Sequence, residues 1–395
     1  MAANGEPAPG GAERFALVLS GGGARGAYQV GVLRGLRDLG LLGPERAAFD
    51  IFVGSSAGAL NAGVLAAYAD RFEEGLARLE RVWTEIEPDQ VFRTDLRSLG
   101  RIGFRWVRDL SFGGALRRVG AKSLLDTEPL RALLAARVPF ERLDGNVASG
   151  ALRALAVSAT DLYTGTGVVF VHGSPQLPLW TRGRWSIERA AIGVEHLMAS
   201  SAIPIFFPSV KLAGRHFGDG CIRNTAPLSP AINLGADRIL AVGVRGVGRR
   251  SQPAPRAPRA PTIAEIAGVL LDAVMLDAIE VDVEHSERVN RSIVAAPTRD
   301  PRNPFRSIDV LWLRPSRSVG DIAAELADRV PGIVRYLMRG LGTDEATIEL
   351  ASYLLFDSVY CGRLVALGQA DVHASAEPIG AFFRDGEPRL SLRGA

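Results

Sequence analysis

Residues 15–33, FALVLSGGGARGAYQVGVL, are the most informative part of the sequence about its fold. The first five of these residues are apolar and end at a serine and three glycines, which predicts a short buried strand. Val30, Leu33 and Leu36 then recur at the spacing of a helix face. Residues 50–62, DIFVGSSAGALNA, repeat the order of strand, sharp turn and helix. Two such pairs in succession predict an α/β fold with a mostly parallel sheet and helices on both faces.

Later segments extend this pattern towards the end of the chain. Further strands are predicted at 154–158, 168–172, 238–244 and 309–313. The last of them follows a proline-rich segment, QPAPRAPRAP at 252–261, which favours an extended linker or exposed loop. We therefore divide the chain into a disordered tail at 1–13, a core at 14–246, a proline-rich linker or loop at 247–262, and a mainly helical C-terminal region at 263–395 packed on the core.

Composition excludes several classes of protein. The 395 residues carry a net charge of only +3, which gives no strong field favouring nucleic acid. Cys221 and Cys361 lie far apart and cannot build a disulfide framework or a zinc site. No apolar run approaches the ~20 residues of a spanning helix, and the N-terminus lacks the parts of a signal peptide. We expect a cytoplasmic protein without a transmembrane segment, metal or cofactor; peripheral contact with a membrane stays open.

The sequence Gly54-Ser55-Ser56-Ala57-Gly58 is a G-x-S-x-G placed between a predicted strand and a predicted helix. In such an elbow the small flanking residues allow a strained turn that exposes the serine hydroxyl. The following helix N-terminus stabilises negative charge. The same letters also occur in flexible Gly/Ser turns, so the position of the pattern, and not its composition, indicates that Ser56 is a nucleophile.

A second glycine cluster directly follows the first strand. It consists of Gly21, Gly22, Gly23, Ala24, Arg25 and Gly26. Main-chain N–H groups without side chains can converge on an anion there, either as the oxyanion hole of an acyl transferase or as a dinucleotide-binding G-x-G-x-x-G. A dinucleotide site requires an acidic residue after the next strand. That strand ends in the serine elbow instead, which favours acyl transfer.

Ser56 needs a base, and Asp219 between Gly218 and Gly220 is the candidate. An aspartate flanked by glycines is also a common turn former. A carboxylate can serve as the base if it contacts the serine hydroxyl and its basicity is raised. The five histidines of the chain are His172, His196, His216, His285 and His373. None of them lies in a sequence pattern typical of a catalytic triad.

Five segments in this order resemble the patatin-like phospholipase family. They are SGGGARGAYQVGVL, DIFVGSSAGALNA, SATDLYTG, MASSAIPIFFPSV, and FGDG with PLSPAINLGADRILAV. The resemblance covers roughly residues 15–244 and implies a three-layer α/β/α fold with a Ser–Asp dyad that needs no histidine. It implies that Ser56 is the nucleophile, Asp219 the acid, and residues 21–26 the oxyanion loop. Cys221 departs from the family pattern, which usually has Gly or Ala after the Asp-Gly pair.

The resemblance implies a lipid acyl hydrolase of the phospholipase A or lysophospholipase type that works through an acyl-enzyme. Two alternatives remain open. One is an esterase or thioesterase with a Ser-His-Asp triad, which would need His285 or His373. The other is a non-catalytic nucleotide-binding module that uses the GGGARG loop for phosphate.

Three further segments bear on substrate contact. The loop 200–208, SSAIPIFFP, is expected to line the acyl pocket, with Phe206 and Phe207 facing either substrate or the core. Asp161 is expected to orient a turn. Arginines and apolar residues alternate at helical spacing over 97–110, which predicts a basic amphipathic helix that contacts a lipid surface or packs on the core. The arginines of that helix are Arg97, Arg101, Arg105 and Arg108.

Overall fold

The computed structural model of the chain describes residues 13–93, 123–177, 180–182, 185–224, 227–246, 279–295, 305–332, 334–335 and 351–385. The predicted basic helix at 97–110, the proline-rich segment at 247–262 and nearly all of the tail at 1–13 lie outside these residues.

One mixed sheet forms the centre of the described fold. Its ten strands are β1 Phe15–Leu19, β2 Ile51–Ser55, β3 Ala154–Asp161, β4 Gly167–Gly173, β5 Thr181–Arg182, β6 Trp185–Arg189, β7 Val210–Leu212, β8 Arg215–Asp219, β9 Arg238–Val242 and β10 Asp309–Leu313. The order is β10-β9-β1-β2-β3-β4-β6-β5, with β8 pairing both β3 and β7. The sheet is parallel from β10 through β3, as the two strand–helix units predict.

Helices cover both faces of this sheet. Those of the described residues are α1 Ala27–Asp38, α2 Ala57–Ala67, α3 Phe72–Thr84, α4 Glu128–Arg137, α5 Arg142–Ser149, α6 Val194–Ser200, α7 Ser229–Asn233, α8 Ile279–Ala295, α9 Val319–Ala324, α10 Ser358–Ala374 and α11 Ala376–Asp385. Alternate residues of β1 enter opposite cores: Leu17 and Leu19 join one apolar cluster, whereas Ala16 and Val18 join the other. The three-layer α/β/α class is confirmed.

Strand β3 is the element that brings distant segments together. Its first half pairs in parallel with β2, so that Ser55 lies opposite Ser158. Its last residues pair instead with β8, which runs antiparallel and places Asp219 opposite Ala159. β8 therefore continues the line of β2 along the same edge of β3. Ser56, which follows β2, and Asp219, the last residue of β8, are therefore brought close together along this edge of β3.

The C-terminal part of the chain joins this core. Strand β10 extends the sheet beside β9, as its apolar sequence predicts. Helix α10 packs along α1 so closely that a Cβ on Gly31 would lie 2.0 Å from the carbonyl oxygen of Val365. The Tyr28 hydroxyl donates to Asp371 across the same contact at 2.9 Å. Within the described ranges, no helix combines the length and apolar character that crossing a bilayer requires.

Candidate active site

Ser56 occupies a strained turn between β2 and α2. Its φ of 51° and ψ of −127° are a conformation that non-glycine residues rarely adopt and that often marks functional positions. The turn passes so close to β1 that a Cβ on Gly58 would lie 2.2 Å from the carbonyl oxygen of Leu19. The Ser56 N–H donates to the Ser200 hydroxyl at 2.9 Å. Backbone geometry and this hydrogen bond together fix the direction of the Ser56 side chain.

Asp219 is fully buried at the end of β8. Its N–H donates to the carbonyl oxygen of Ala202 at 2.9 Å, and its own carbonyl oxygen accepts from Thr160 at 2.9 Å. Its Oδ1 atom accepts the N–H of Cys221 at 2.8 Å. Burial raises the pKa of the Asp219 carboxyl group to about 6, although hydrogen bonds from Cys221 and Ser56 partly oppose the rise. The carboxylate is therefore a stronger base than an exposed aspartate.

The Ser56 hydroxyl lies close enough to Asp219 to lower the pKa of the carboxyl group. The Oδ2 atom of Asp219 nevertheless accepts no hydrogen bond of regular geometry from a described residue. Long serine–carboxylate contacts are common in enzymes without bound substrate. The side-chain oxygen atoms of Ser20, Ser158 and Asn224 are buried near the elbow and are likewise unpartnered among the described residues. Unsatisfied polar atoms thus gather around Ser56, which is typical of a site that acts on a ligand.

The glycine loop lies against the elbow. A Cβ on Gly21 would lie 2.8 Å from the Cβ atom of Ser56. The Arg25 N–H is used within the loop, where it donates to the carbonyl oxygen of Gly22 at 3.1 Å. The N–H groups of Gly21, Gly22 and Gly23 donate to no described acceptor. They are therefore available to an oxyanion.

A buried polar network holds the loop in place. The Gln29 amide donates to the carbonyl oxygen of Ser20 at 2.8 Å, and the Asn61 amide donates to the carbonyl oxygen of Gly26 at 3.1 Å. Asn61 also donates to Gln29 and accepts from the Trp83 indole, both at 2.8 Å. Both ends of the glycine loop are thereby tied to α1, α2 and α3.

The Arg25 side chain is buried and contacts residues from the C-terminal part of the chain. Its guanidinium group is buried, stacks on the Tyr353 ring with 3.8 Å between Cζ and the ring centre, and donates to the Ser352 hydroxyl at 2.8 and 2.6 Å. The carbonyl oxygen of Tyr353 would lie 2.1 Å from a Cβ on Gly23. The segment 351–357 therefore covers the glycine loop, and Arg25 anchors that cover.

An apolar groove leads away from Ser56 between α2, α3 and α4. Gly23 and Ser56 lie in its wall, so that both the serine elbow and the glycine loop reach it. Its apolar wall residues include Leu60, Val64, Leu79, Val82, Leu130, Leu133, Leu134, Ile203, Phe207 and Phe356. Of the two phenylalanines in the loop 200–208, Phe207 lines the groove and Phe206 packs in the core. The size and apolar character of the groove suit an acyl chain.

The structure also locates the remaining residues that the sequence analysis singles out. Gly54 is in β2, and Gly220 begins the short 3₁₀ turn that follows Asp219. The Asp161 carboxylate accepts the N–H groups of Tyr163 and Thr164 at 2.9 and 3.2 Å, which makes it a turn-forming residue. In the described ranges, no group of three His, Cys, Asp or Glu side chains is placed to hold a metal.

The five histidines interact with residues other than Ser56 and Asp219. His172 contacts Asp144 at 3.0 Å, His216 contacts Ser209 at 3.1 Å, and His373 contacts Asp38 at 3.6 Å. His196 accepts the Gly193 N–H at 3.2 Å, and His285 lies near Asp282. The geometry thus brings Asp219, and not a histidine, next to Ser56.

Sequence reasoning misses the residues that support the site from a distance. Ser200 falls within the predicted loop 200–208, but its role as acceptor for Ser56 depends on how α6 ends. Ser352, Tyr353 and Phe356 carry no local signal, because their contacts join positions 327 residues apart, as in the pair Arg25 and Ser352. Only the tertiary fold identifies them.

Comparison with known proteins places the chain in context. Residues 17–232 match the family described as Patatin-like phospholipase. No curated protein matches. VipD from Legionella pneumophila is 14% identical, with 95% of this chain and 78% of that chain covered and a TM-score of 0.31.

Two further solved structures are similar. In the ExoU–SpcU complex from the type III secretion system of Pseudomonas aeruginosa, the matched chain is 17% identical, with 95% of this chain and 81% of that chain covered and a TM-score of 0.28. Human GIVD cytosolic phospholipase A2, in complex with methyl gamma-linolenyl fluorophosphonate, is 15% identical, with 91% and 59% covered and a TM-score of 0.32.

Proposed function

Because the chain belongs to the patatin-like phospholipase family, a family of lipid hydrolases, we propose that it cleaves the carboxylic ester bonds of phospholipids and lysophospholipids. Ser56 is the nucleophile and Asp219 is its base in this proposal. The amides of Gly22 and Gly23 form the oxyanion hole, and the apolar groove holds the acyl chain. The region after residue 262 acts as part of the same catalytic unit, because Phe356 lines the groove.

One observation carries the proposal. A serine in a strained turn, with φ of 51°, adjoins a fully buried carboxylate whose pKa is raised to about 6. The same serine faces an apolar groove. A solvated Gly/Ser turn would have neither the buried base nor the groove.

The first half of the reaction forms the acyl-enzyme. Asp219 accepts the proton of the Ser56 hydroxyl as Oγ attacks the ester carbonyl carbon. Negative charge then develops on the carbonyl oxygen, where the N–H groups of Gly22 and Gly23 stabilise it. Removal of one such donor typically costs ~3 kcal/mol, about two orders of magnitude in rate. The C–O bond breaks, and the leaving alcohol takes the proton from Asp219.

The second half of the reaction releases the carboxylic acid product. Water donates a proton to Asp219 as its oxygen attacks the acyl carbon, and the same N–H groups stabilise the second tetrahedral intermediate. Collapse of that intermediate breaks the bond to Ser56 Oγ, which regains its proton from Asp219. The carboxylate must be ionised at the start of each half, so activity requires a pH above its pKa of about 6.

A fluorophosphonate probe tests the assignment of the nucleophile. We expect stoichiometric labelling of the wild-type protein, with the modified peptide containing Ser56, and no labelling of Ser56→Ala. Ser55→Ala is the matched control, because Ser55 lies next to the nucleophile but donates no proton to Asp219, and it should label to the same stoichiometry. A panel of phospholipids and lysophospholipids, assayed with both serine variants, tests the substrate class.

Two results would contradict the proposal. Labelling of Ser56→Ala to the wild-type extent would show that Ser56 is not the nucleophile. Replacement of each histidine by alanine should leave ester hydrolysis within a few-fold of wild type, and a thousand-fold loss in any one of them would establish a triad instead.

A further inference from the structure

The wall of the apolar groove carries three charged side chains among the described residues, and all three are arginines. They are Arg78, Arg81 and Arg137. The rest of the wall is apolar except for a few uncharged polar residues near Ser56. Positive charge in the groove is therefore not balanced by any carboxylate of the wall.

Arg78 and Arg137 lie towards the end of the groove that is remote from Ser56, and Arg81 lies about one turn of α3 nearer to Ser56. Helix α2 begins directly after Ser56, and α3 returns antiparallel to it, because Trp83 contacts Asn61 near the start of α2. Arg78 lies near the other end of α2, with its Cζ atom 5.4 Å from the centre of the Tyr68 ring. Val64 lies eight residues after Ser56, which at 1.5 Å per residue is about 12 Å along the helix.

Arg137 reaches the same end from helix α4. It is the last residue of α4, and α5 begins at Arg142, whose Cζ atom lies 4.8 Å from the centre of the Tyr68 ring. Arg81 lies about one turn from Arg78 on α3. An acyl chain with its carbonyl carbon at Ser56 would thus approach these cations with its distal carbons.

Two of the three cations are not neutralised. Arg78 forms an ion pair with Glu74 at 2.9 Å. Arg81 and Arg137 are exposed, and neither forms an ion pair with a described side chain. Their aliphatic stems can line apolar surface while the guanidinium groups stay in water. The groups are then placed to receive an anion that arrives at the end of an apolar chain.

We propose that the groove selects acyl chains that carry a carboxylate at the end remote from the ester, so that half-esters of dicarboxylic acids are preferred substrates. This inference rests on the proposed function, because it requires the ester carbon at Ser56. The planar guanidinium group binds a carboxylate through two parallel hydrogen bonds, whereas an unsubstituted alkyl end gains nothing from it.

Matched ester pairs test the preference. The mono-4-nitrophenyl esters of octanedioic, decanedioic and dodecanedioic acid are compared with 4-nitrophenyl octanoate, decanoate and dodecanoate by release of 4-nitrophenolate. At the optimal length we expect kcat/KM to be about threefold higher for the diacid ester, as a solvent-exposed ion pair provides. Arg81→Gln/Arg137→Gln should abolish that ratio, because the diacid ester loses its advantage over the monoacid ester of the same length. Arg81→Lys/Arg137→Lys should retain part of it.

The control variant is Arg291→Gln, which removes an exposed arginine on α8 that does not line the groove; it should keep the wild-type ratio. Binding to Ser56→Ala provides a readout that does not depend on hydrolysis. Monomethyl decanedioate should bind this variant about threefold more tightly than methyl decanoate, and the two Gln substitutions should remove the difference. If Ser56→Ala still hydrolyses the esters, the proposed function fails while the binding ratio continues to test the groove.

Either of two results would overturn the inference. One is equal binding and equal kcat/KM for diacid and monoacid ligands. The other is a preference for phosphatidylglycerol over phosphatidylcholine in mixed vesicles that the two Gln substitutions abolish, without any diacid preference. That second result would assign the arginines to a lipid headgroup phosphate.

Discussion

Replacing Asp219 by asparagine should make the protein more stable while it abolishes turnover. Burial raises the pKa of the carboxyl group from 3.8 to about 6. At about 1.36 kcal/mol per unit of pKa, ionisation of this group in the folded protein costs about 3 kcal/mol. Asparagine has nearly the same shape, can still accept the Cys221 N–H through its Oδ1 atom, and carries no charge to bury.

The effect depends on pH, and its sign follows from the raised pKa. The folded protein holds the Asp219 proton more tightly than the unfolded chain does. The favourable contribution is therefore complete below pH 3.8 and is lost as the pH rises through about 6. The asparagine variant avoids this loss, so its advantage over wild type should be about 3 kcal/mol at pH 8 and about 1 kcal/mol at pH 4.5.

Urea unfolding of both proteins at the two pH values measures the advantage. Asp328→Asn is the control, because Asp328 is exposed and its substitution should change the midpoint little at either pH. Hydrolysis of a 4-nitrophenyl ester by the same samples should fall by at least two orders of magnitude in Asp219→Asn. An advantage that is absent, or that is equal at both pH values, would refute the idea that a desolvated carboxylate adjoins Ser56.

Three further results are expected from the same geometry. In wild type, kcat/KM should fall tenfold per pH unit below about pH 6, because protonated Asp219 cannot accept the Ser56 proton; a profile that stays flat to pH 4 would contradict this role. Ser200→Ala should lower the free energy of unfolding by about 1–3 kcal/mol, because it leaves the buried Ser56 N–H without its acceptor; an unchanged urea midpoint would count against that hydrogen bond. Gly21→Ala should slow fluorophosphonate labelling by about two orders of magnitude, because the added Cβ would lie 2.8 Å from the Ser56 Cβ. Gly145→Ala is its control, since a Cβ there meets no atom within 4 Å, and equal slowing in both would show a nonspecific effect.

The sequence predicts those features that local patterns encode. The apolar runs 15–19 and 51–53 are followed closely by glycines, so the positions of the first two strands and their helices follow from the residues alone. The late strand at 309–313 is predictable in the same way, because four of its five residues are apolar. Strand β9 ends at Val242, two residues before its predicted limit, although Val244 is buried as well.

The parts of the site that depend on register could not be predicted. Nothing local to residues 215–219 shows that β8 takes the place of β2 along β3, yet that pairing brings Asp219 to Ser56. The split between Phe206 and Phe207 likewise depends on how the loop turns after α6. The roles of Ser56, Asp219 and the glycine loop stay predictions, which the labelling and pH experiments address.

Segment 351–357, which covers the glycine loop, is synthesised long after that loop. Arg25 emerges from the ribosome 327 residues ahead of Ser352, an interval of roughly 15 to 65 s at 5–20 residues per second. In the later part of that time, once Asp219 has been synthesised, the nascent chain contains the elbow and the aspartate, but the groove lacks its Phe356 wall and Arg25 has no aromatic ring to stack on. The wall of the groove and the support of the glycine loop should therefore be complete only after residue 356 has been synthesised.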